Sequence, residues 1–342
     1  MCLRGRDTDA WHSFNGRMDV PVAPIAEQED APLIVARPHL QTAPVIFASP
    51  HSGRRYGADF LASARLDPHS LRRSEDSFVE ELFAAAPEFG APLLSATFPR
   101  AYCDVNREPW ELDPAMFADT LPPWVNTTSP RVSAGLGTIA RVVASGDTIY
   151  RGKLTFAEAE RRVEAYWRPF HETLIAMLTG THALHGFCLL IDCHSMPSPE
   201  PSPGPSPGPS SGPSPGHSPG SSGSSVAGGP RPMPRNGMFA PDFVLGDAHG
   251  TACSPRITRF VERALTEFGY SVRRNDPYAG GYITRHYGRP RDRVHALQIE
   301  VARSLYMDEA RIERLPSFAS VQADLTSLVE AITREASSLI DE

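Results

Sequence analysis

Two histidines in the 342-residue chain follow short apolar runs in the same way, and that shared setting is the first chemical signal. Val45-Ile46-Phe47-Ala48 leads into Ser49-Pro50-His51-Ser52-Gly53, and Phe187 to Ile191 leads into Asp192-Cys193-His194-Ser195. Two imidazoles and a carboxylate around an open fourth position make the usual plan of a catalytic zinc centre. The carboxylate candidates are Glu75 and Asp76, at the start of an expected helix from Ser77 to Ala86, with Asp76 preferred. Two more apolar runs end in reactive side chains. Leu93 to Thr97 leads to Arg100, Asp104, Asn106 and Arg107, and Ala296 to Ile299 leads straight into Glu300. Arginine pairs bidentately with carboxylates, so Arg100 and Arg107 are candidate anion receptors, joined by Tyr282 and Arg285 in the loop that begins at Gly280-Gly281. A glutamate beside a metal can take the proton of an attacking water, and Glu300 at a strand end is the candidate.

Each of these residues also has an ordinary structural reading. A histidine can be a satisfied core group, an arginine a solvated charge, and Glu300 a helix cap or salt-bridge partner. Cys103 and Cys193 stand next to candidate residues but lack a paired base, so packing is their expected role. Ser52 and Ser195 follow the histidines without a GxSxG elbow, which argues against serine hydrolysis. Gly280-Gly281 is too little for a phosphate loop and reads as a close backbone approach or a plain turn.

The elements that must position these groups alternate between short apolar runs and longer helical patterns. Strands are expected at Val45 to Ala48, Leu93 to Thr97, Phe187 to Ile191, Phe243 to Leu245 and Ala296 to Ile299. Thr155-Phe156-Ala157-Glu158 makes a capping box for a helix with apolar residues at 156, 159, 163, 166, 170, 174 and 177. A second helix starts at Ser254-Pro255 and stops at Gly269, and a third runs from about Phe318 to Ile340. This alternation predicts an α/β fold, a mixed and mostly parallel sheet with helices on both faces. In such a sheet ligands bind beyond the carboxyl ends of the strands, where the candidate residues stand.

Residues 1–30 read as a flexible leader and 31–342 as a single domain. The 197–234 stretch, crowded with proline, glycine and serine, is expected to be a disordered insertion; glycine recurs there at every fourth position, which excludes a collagen helix. A net charge of −7 supplies no general electrostatic footprint for nucleic acid, so no nucleic-acid partner is expected. No apolar run approaches membrane-spanning length and no signal-peptide pattern opens the chain, so a cytoplasmic protein without a membrane partner is expected. Five cysteines without CxxC spacing read as reduced thiols.

The ordered blocks SPHSGRRY (49–56), EDSFVEELF (75–83), FPRAYCDVNREPWELDP (98–114), LLIDCHSMP (189–197), DFVLGDAHGT (242–251), NDPYAGGYITRHYGRP (275–290) and ALQIEVARSLYMDE (296–309) resemble the N-formylglutamate amidohydrolases. That family lies within the zinc carboxypeptidase-like amidohydrolases. The resemblance spans about 44 to 310 apart from the insertion. It implies a zinc carboxypeptidase or phosphorylase-hydrolase-like fold, a Zn2+ cofactor, a small N-acyl amino acid substrate, and deformylation of N-formyl-L-glutamate in histidine breakdown. His51 and His194 look like the histidine ligands and Asp76 is similar to the acidic ligand. The wider group's His-x-x-Glu pattern is not kept, because Arg54 stands third after His51. Asn106-Arg107 is similar to a pair that holds a substrate carboxylate in zinc carboxypeptidases, and Glu300 looks like their catalytic glutamate. A zinc deacylase of another N-acyl amino acid, or a binding protein on the same fold, are the alternatives.

Overall fold

A computed structural model describes residues 31–198 and 240–339. The expected leader at 1–30 and all of the expected insertion beyond Ser198 lie outside the described residues. The chain divides into Met1–Ala31 and Pro32–Glu342, and every element belongs to the second unit.

Seven strands, β1 (Leu33–Ala36), β2 (Val45–Ser49), β3 (Leu93–Ala96), β4 (Cys188–Met196), β5 (Phe243–Gly246), β6 (Val272–Arg274) and β7 (Val294–Ala302), form one sheet in the order β1-β3-β2-β4-β7-β5-β6. β8 (Met307–Asp308) and β9 (Glu313–Arg314) make a separate ribbon. The central pairings β3-β2, β2-β4 and β4-β7 are parallel, as is β5-β6, while β1 and β5 run antiparallel to their neighbours β3 and β7. The sheet is thus mixed and mostly parallel. The helices are α1 (Ala58–Ser63), α2 (Pro68–Arg72), α3 (Val79–Leu82), α4 (Pro130–Ser133), α5 (Phe156–Arg162), α6 (Arg168–His185), α7 (Pro255–Glu267), α8 (Tyr282–Tyr287) and α9 (Phe318–Glu335).

Side chains alternate across a strand, and here the alternation sorts apolar core from chemistry. Val45, Phe47, Leu189, Ile191, Cys193, Leu297, Ile299 and Val301 share one core with residues of α3, α7 and α9. The opposite face of β4 and β7 carries Asp192, His194, Gln298 and Glu300, and α8 packs there through Thr284, whose hydroxyl donates to Asp192 at 3.0 Å. α6 packs on β2 and β4 and joins α8 through His171 Nδ1 and the Tyr287 hydroxyl, 2.7 Å apart. A second, smaller core of Phe60, Leu71, Leu112, Phe117, Ile139 and Ile149 supports the long excursion between β3 and α5.

Several expectations change, the first being that Tyr282 and Arg285 stand on α8 and not in a loop. β4 and β7 are nine residues each and run past Ile191 and Ile299, so His194 and Glu300 lie inside strands, not beyond their ends. The polar residues that look like a strand exit are one face of a period-two pattern whose other face stays apolar. The Ser77 to Ala86 helix is only α3 followed by a 3-10 turn at Ala86–Phe89, because Phe78 adopts a left-handed conformation (φ 68°) that keeps Asp76 and Ser77 out of any helix. The long helix after Thr155 is interrupted by a π turn, Val163–Trp167. Pro169 has no N–H to donate and its ring crowds the carbonyl four residues back, and the wider turn absorbs both defects. By contrast, α7 begins as expected, with Ser254 accepting from the Arg256 N–H, and Gly269 follows it at φ 88°.

Phe47 is fully buried and its ring lies 6.0 Å from that of Phe83. Phe47→Ala is expected to lower the unfolding free energy by about 3–5 kcal/mol, measured by urea denaturation.

Candidate active site

His51 stands two residues past β2, and Asp76 is drawn to it by backbone: the Asp76 N–H donates to the His51 carbonyl at 3.1 Å. Asp76 Oδ2 then lies 3.4 Å from His51 Nδ1 and 3.0 Å from His194 Nδ1. The two rings are 4.8 Å apart, and one ligand atom from each of the three residues falls within 4.8 Å of the others. Glu75, the other acidic candidate, is turned away. It is held by Arg72 at 3.0 Å, the Tyr56 hydroxyl at 2.8 Å and the Ser77 hydroxyl at 2.8 Å.

The far side of each of these three residues is also occupied. His51 Nε2 bonds to Asp104 at 2.7 Å, His194 Nε2 to Asp192 at 2.9 Å, and Asp76 Oδ1 accepts from Arg303 at 3.0 Å. A carboxylate on Nε2 holds the proton there and leaves the Nδ1 lone pair pointing inward, the usual way an outer partner orients a metal-binding imidazole. His51 Nδ1 is buried and without a hydrogen-bond partner, a costly state for a neutral nitrogen unless a cation takes its lone pair. The donor set of two imidazoles and one carboxylate suits zinc.

Burial alone would raise the Asp76 carboxyl, but its hydrogen bond to His194 and the close approach of the His51 ring reverse this and hold it well below the usual carboxylate range. Burial likewise opposes charge on His194, yet Asp192 and Asp76 outweigh it and keep the ring's affinity for a proton well above normal. A cation at the two Nδ1 atoms therefore competes with protons, and its binding releases them. Asp104 follows the same logic: Arg100 and Arg107 overcome its burial and keep it ionised. Glu300 differs, because burial dominates and pushes its carboxyl up to about 7.

Glu300 is set by the sheet. Its Cα pairs with that of His194, which puts both side chains on one face of adjacent strands. Gln298, two residues earlier on that face, donates to Glu300 Oε1 at 2.8 Å while its own oxygen accepts the Gly281 N–H at 2.8 Å. These groups border a cavity of about 370 Å³. Arg100, Asn106, Arg107 and Arg285 of the sequence-derived set also line it, whereas Tyr282 is not among its lining residues and stacks on His286 at 4.8 Å. Arg107 is buried, with Nε donating to the Leu136 carbonyl at 2.9 Å and Nη1 to the Asn106 carbonyl at 2.6 Å. Asn106 Oδ1 accepts the Ile283 N–H at 2.8 Å, and a Cβ on Gly281 would overlap the Asn106 carboxamide, so only glycine lets this loop close.

Asp104, Asp192, Gln298, Arg131 and Arg303 belong to this region, but the sequence reading assigns none of them a role. Asp192 and Gln298 carried a usable signal, since each precedes a chosen residue by two places on the same strand face. Arg131 and Arg303 carried none, because only tertiary contact brings them to the cavity.

A family model described as N-formylglutamate amidohydrolase matches residues 43–307. The chain is similar to N-formylglutamate deformylase of Pseudomonas putida, 27% identical over 274 residues, covering 79% of this chain and 84% of that one. It is 29% identical over 295 residues to N-formylglutamate deformylase of Pseudomonas aeruginosa, covering 85% and 90%. A crystal structure of N-formylglutamate amidohydrolase from Ralstonia eutropha JMP134 superposes with a TM-score of 0.75 at 36% identity, covering 89% of this chain and 98% of the other.

Asp104→Asn removes the charge that orients His51 and is expected to weaken zinc binding by about 10- to 100-fold, read by competition with a chromogenic chelator. An unchanged affinity in a folded variant would show that Asp104 does not set the orientation of His51 for metal.

Proposed function

The chain belongs to the N-formylglutamate amidohydrolase family, and on that premise we infer that it hydrolyses N-formyl-L-glutamate to formate and L-glutamate with zinc held by His51, Asp76 and His194. The observation that carries the reading is the convergence of two Nδ1 lone pairs and one carboxylate oxygen at a cavity that also holds Glu300 and several arginines. Bound there, zinc would lower the pKa of a water to about 7 and polarise the formyl oxygen.

The protein's own residues supply the rest. Glu300 takes one proton from the attacking water and returns it to the amide nitrogen, so that the C–N bond breaks to give formate and a free amine. Its Oε1 is fixed by Gln298, which leaves Oε2 for the proton. Burial keeps the carboxyl near neutrality, where a base both accepts and releases a proton readily. Asn106 and Arg107, beside His194, take the carboxylate next to the scissile amide, with Arg100 adding positive charge. Besides Ser74, Ser195 and Tyr278, the remaining wall includes apolar side chains such as Leu136, Ala140 and Val142.

The four described cysteines are unpaired and buried, which suits a reducing compartment, and no helix among the described residues is long and apolar enough to cross a membrane. We place the reaction in the cytoplasm, and a role in histidine breakdown rests on the substrate being N-formylglutamate.

The purified protein is expected to release formate from N-formylglutamate, to lose that activity to a zinc chelator and to regain it with added zinc. Glu300→Gln is expected to keep the metal, measured by elemental analysis, while kcat falls by about 10²- to 10⁴-fold. An unchanged kcat would remove Glu300 from the proton transfer.

A further inference from the structure

Five arginines line the cavity, and they fall into two groups by what already holds them. Arg100 donates to Asp104 at 2.8 Å, Arg107 spends two donors on backbone carbonyls, and Arg303 spends three on Asp76, Ser195 and the Arg73 carbonyl. Arg131 and Arg285 are exposed and have no ion-pair or hydrogen-bond partner for their guanidinium groups among the described residues. Arg131 also repels the buried Arg107, whose affinity for its proton is lowered by burial and by the charges of Arg100 and Arg131. An anion bound in the cavity beside Arg131 offsets that repulsion.

Their backbones are tied to the same point. The Leu136 peptide links Arg131 to Arg107, since its N–H donates to the Arg131 carbonyl at 2.8 Å and its carbonyl accepts from Arg107 Nε at 2.9 Å. α4, which carries Arg131, is fixed by Ser129, whose hydroxyl accepts the Val132 N–H. Arg285 is anchored equally. α8 starts on Asn106, with the Tyr282 N–H donating to the Asn106 carbonyl at 3.4 Å and the Ile283 N–H to its side chain at 2.8 Å. Segments far apart in sequence thus hang their free guanidinium groups from the Asn106-Arg107 pair.

We propose that Arg131 and Arg285 together bind the side-chain carboxylate of an N-formyl dicarboxylic amino acid, and so set the preference for glutamate over neutral amino acids. The inference rests on the functional reading above and deepens it. A substrate whose amide lies at the ligand cluster keeps its α-carboxylate beside the buried Asn106-Arg107 pair, and its second carboxylate reaches outward to where the exposed arginines are. Planar guanidinium forks suit that group, and a neutral carboxamide of the same shape forfeits the charge-assisted bonds.

The test compares kcat/KM for N-formylglutamate with that for N-formylglutamine in the zinc-loaded native protein, in Arg131→Ala, in Arg285→Ala and in the double variant. The native protein should prefer the glutamate substrate. Each single variant should cut that preference by about tenfold, chiefly through KM, and the double variant by more, while turnover of N-formylglutamine stays close to native. Arg131→Lys should recover part of the preference by restoring charge without the fork. Equal losses on both substrates, or an unchanged preference in the double variant, would overturn the assignment of these arginines while leaving the deformylase reading intact. A native protein that releases no formate from N-formylglutamate overturns that reading and this inference with it.

Discussion

The parallel ladder between β4 and β7 is the constraint on which the rest of the site depends, because it sets Asp192 opposite Gln298 and His194 opposite Glu300. Side chains alternate with a period of two, so a slip of one residue would send His194 or Glu300 into the apolar core. The neighbouring pairing of β2 with β4 sets Ala48 opposite Asp192, and the chain leaving β2 therefore delivers His51 to the same end of the sheet. Asp76 has no strand of its own. It is located instead by its backbone bond to His51 and by Arg303, which stands just past the end of β7.

That geometry concentrates charge where water is scarce. Asp76, Asp104, Asp192 and Glu300 are all buried, and an unpaired carboxylate in such a place would be strongly destabilising. Each is matched: Asp76 by the two histidines and Arg303, Asp104 by His51 and Arg100, Asp192 by His194 and Thr284, and Glu300 by Gln298. The network works as a unit, so loss of one member exposes its partner to the full desolvation penalty. Behind it, neutral His171 and the Trp167 indole grip the Val105 and Arg107 carbonyls at 2.8 and 2.9 Å, which makes the end of the π turn and the first turn of α6 the rear support of the Asn106-Arg107 pair. Burial holds the His171 pKa down to about 3, so this support does not change with pH across the physiological range.

Much of this was legible in the sequence, for a specific physical reason. A polar residue that interrupts or follows a buried apolar run is conspicuous, and His51, His194, Glu300 and Arg100 all stand in that position. The sheet's class followed from the same runs. Adjacent Glu75 and Asp76 could not be separated that way, because what divides them is the left-handed turn at Phe78 and the saturation of Glu75 by Arg72, Tyr56 and Ser77. β6 was missed because Val272-Arg273-Arg274 has no apolar alternation, and Leu33–Ala36 because it follows directly on a polar leader. Arg131 and Arg303 reach the cavity only through contacts that sequence periodicity does not encode.

The alternation of β4 also decides which element in the strand a metal can meet. Cys193 lies between Asp192 and His194, yet its thiol points into the opposite core with Ile191 and Ile299, and burial keeps it protonated far above the usual thiol range. The three residues that could hold a metal offer two nitrogens and one oxygen, without sulfur. Soft ions such as Cu(I) gain most from thiolate, so this arrangement withholds the donor that would favour them. The same donor set would make a metal bound there chemically durable. Peroxide attacks exposed thiolates and carries them up the sulfur oxidation ladder, whereas imidazole and carboxylate ligands offer no such route.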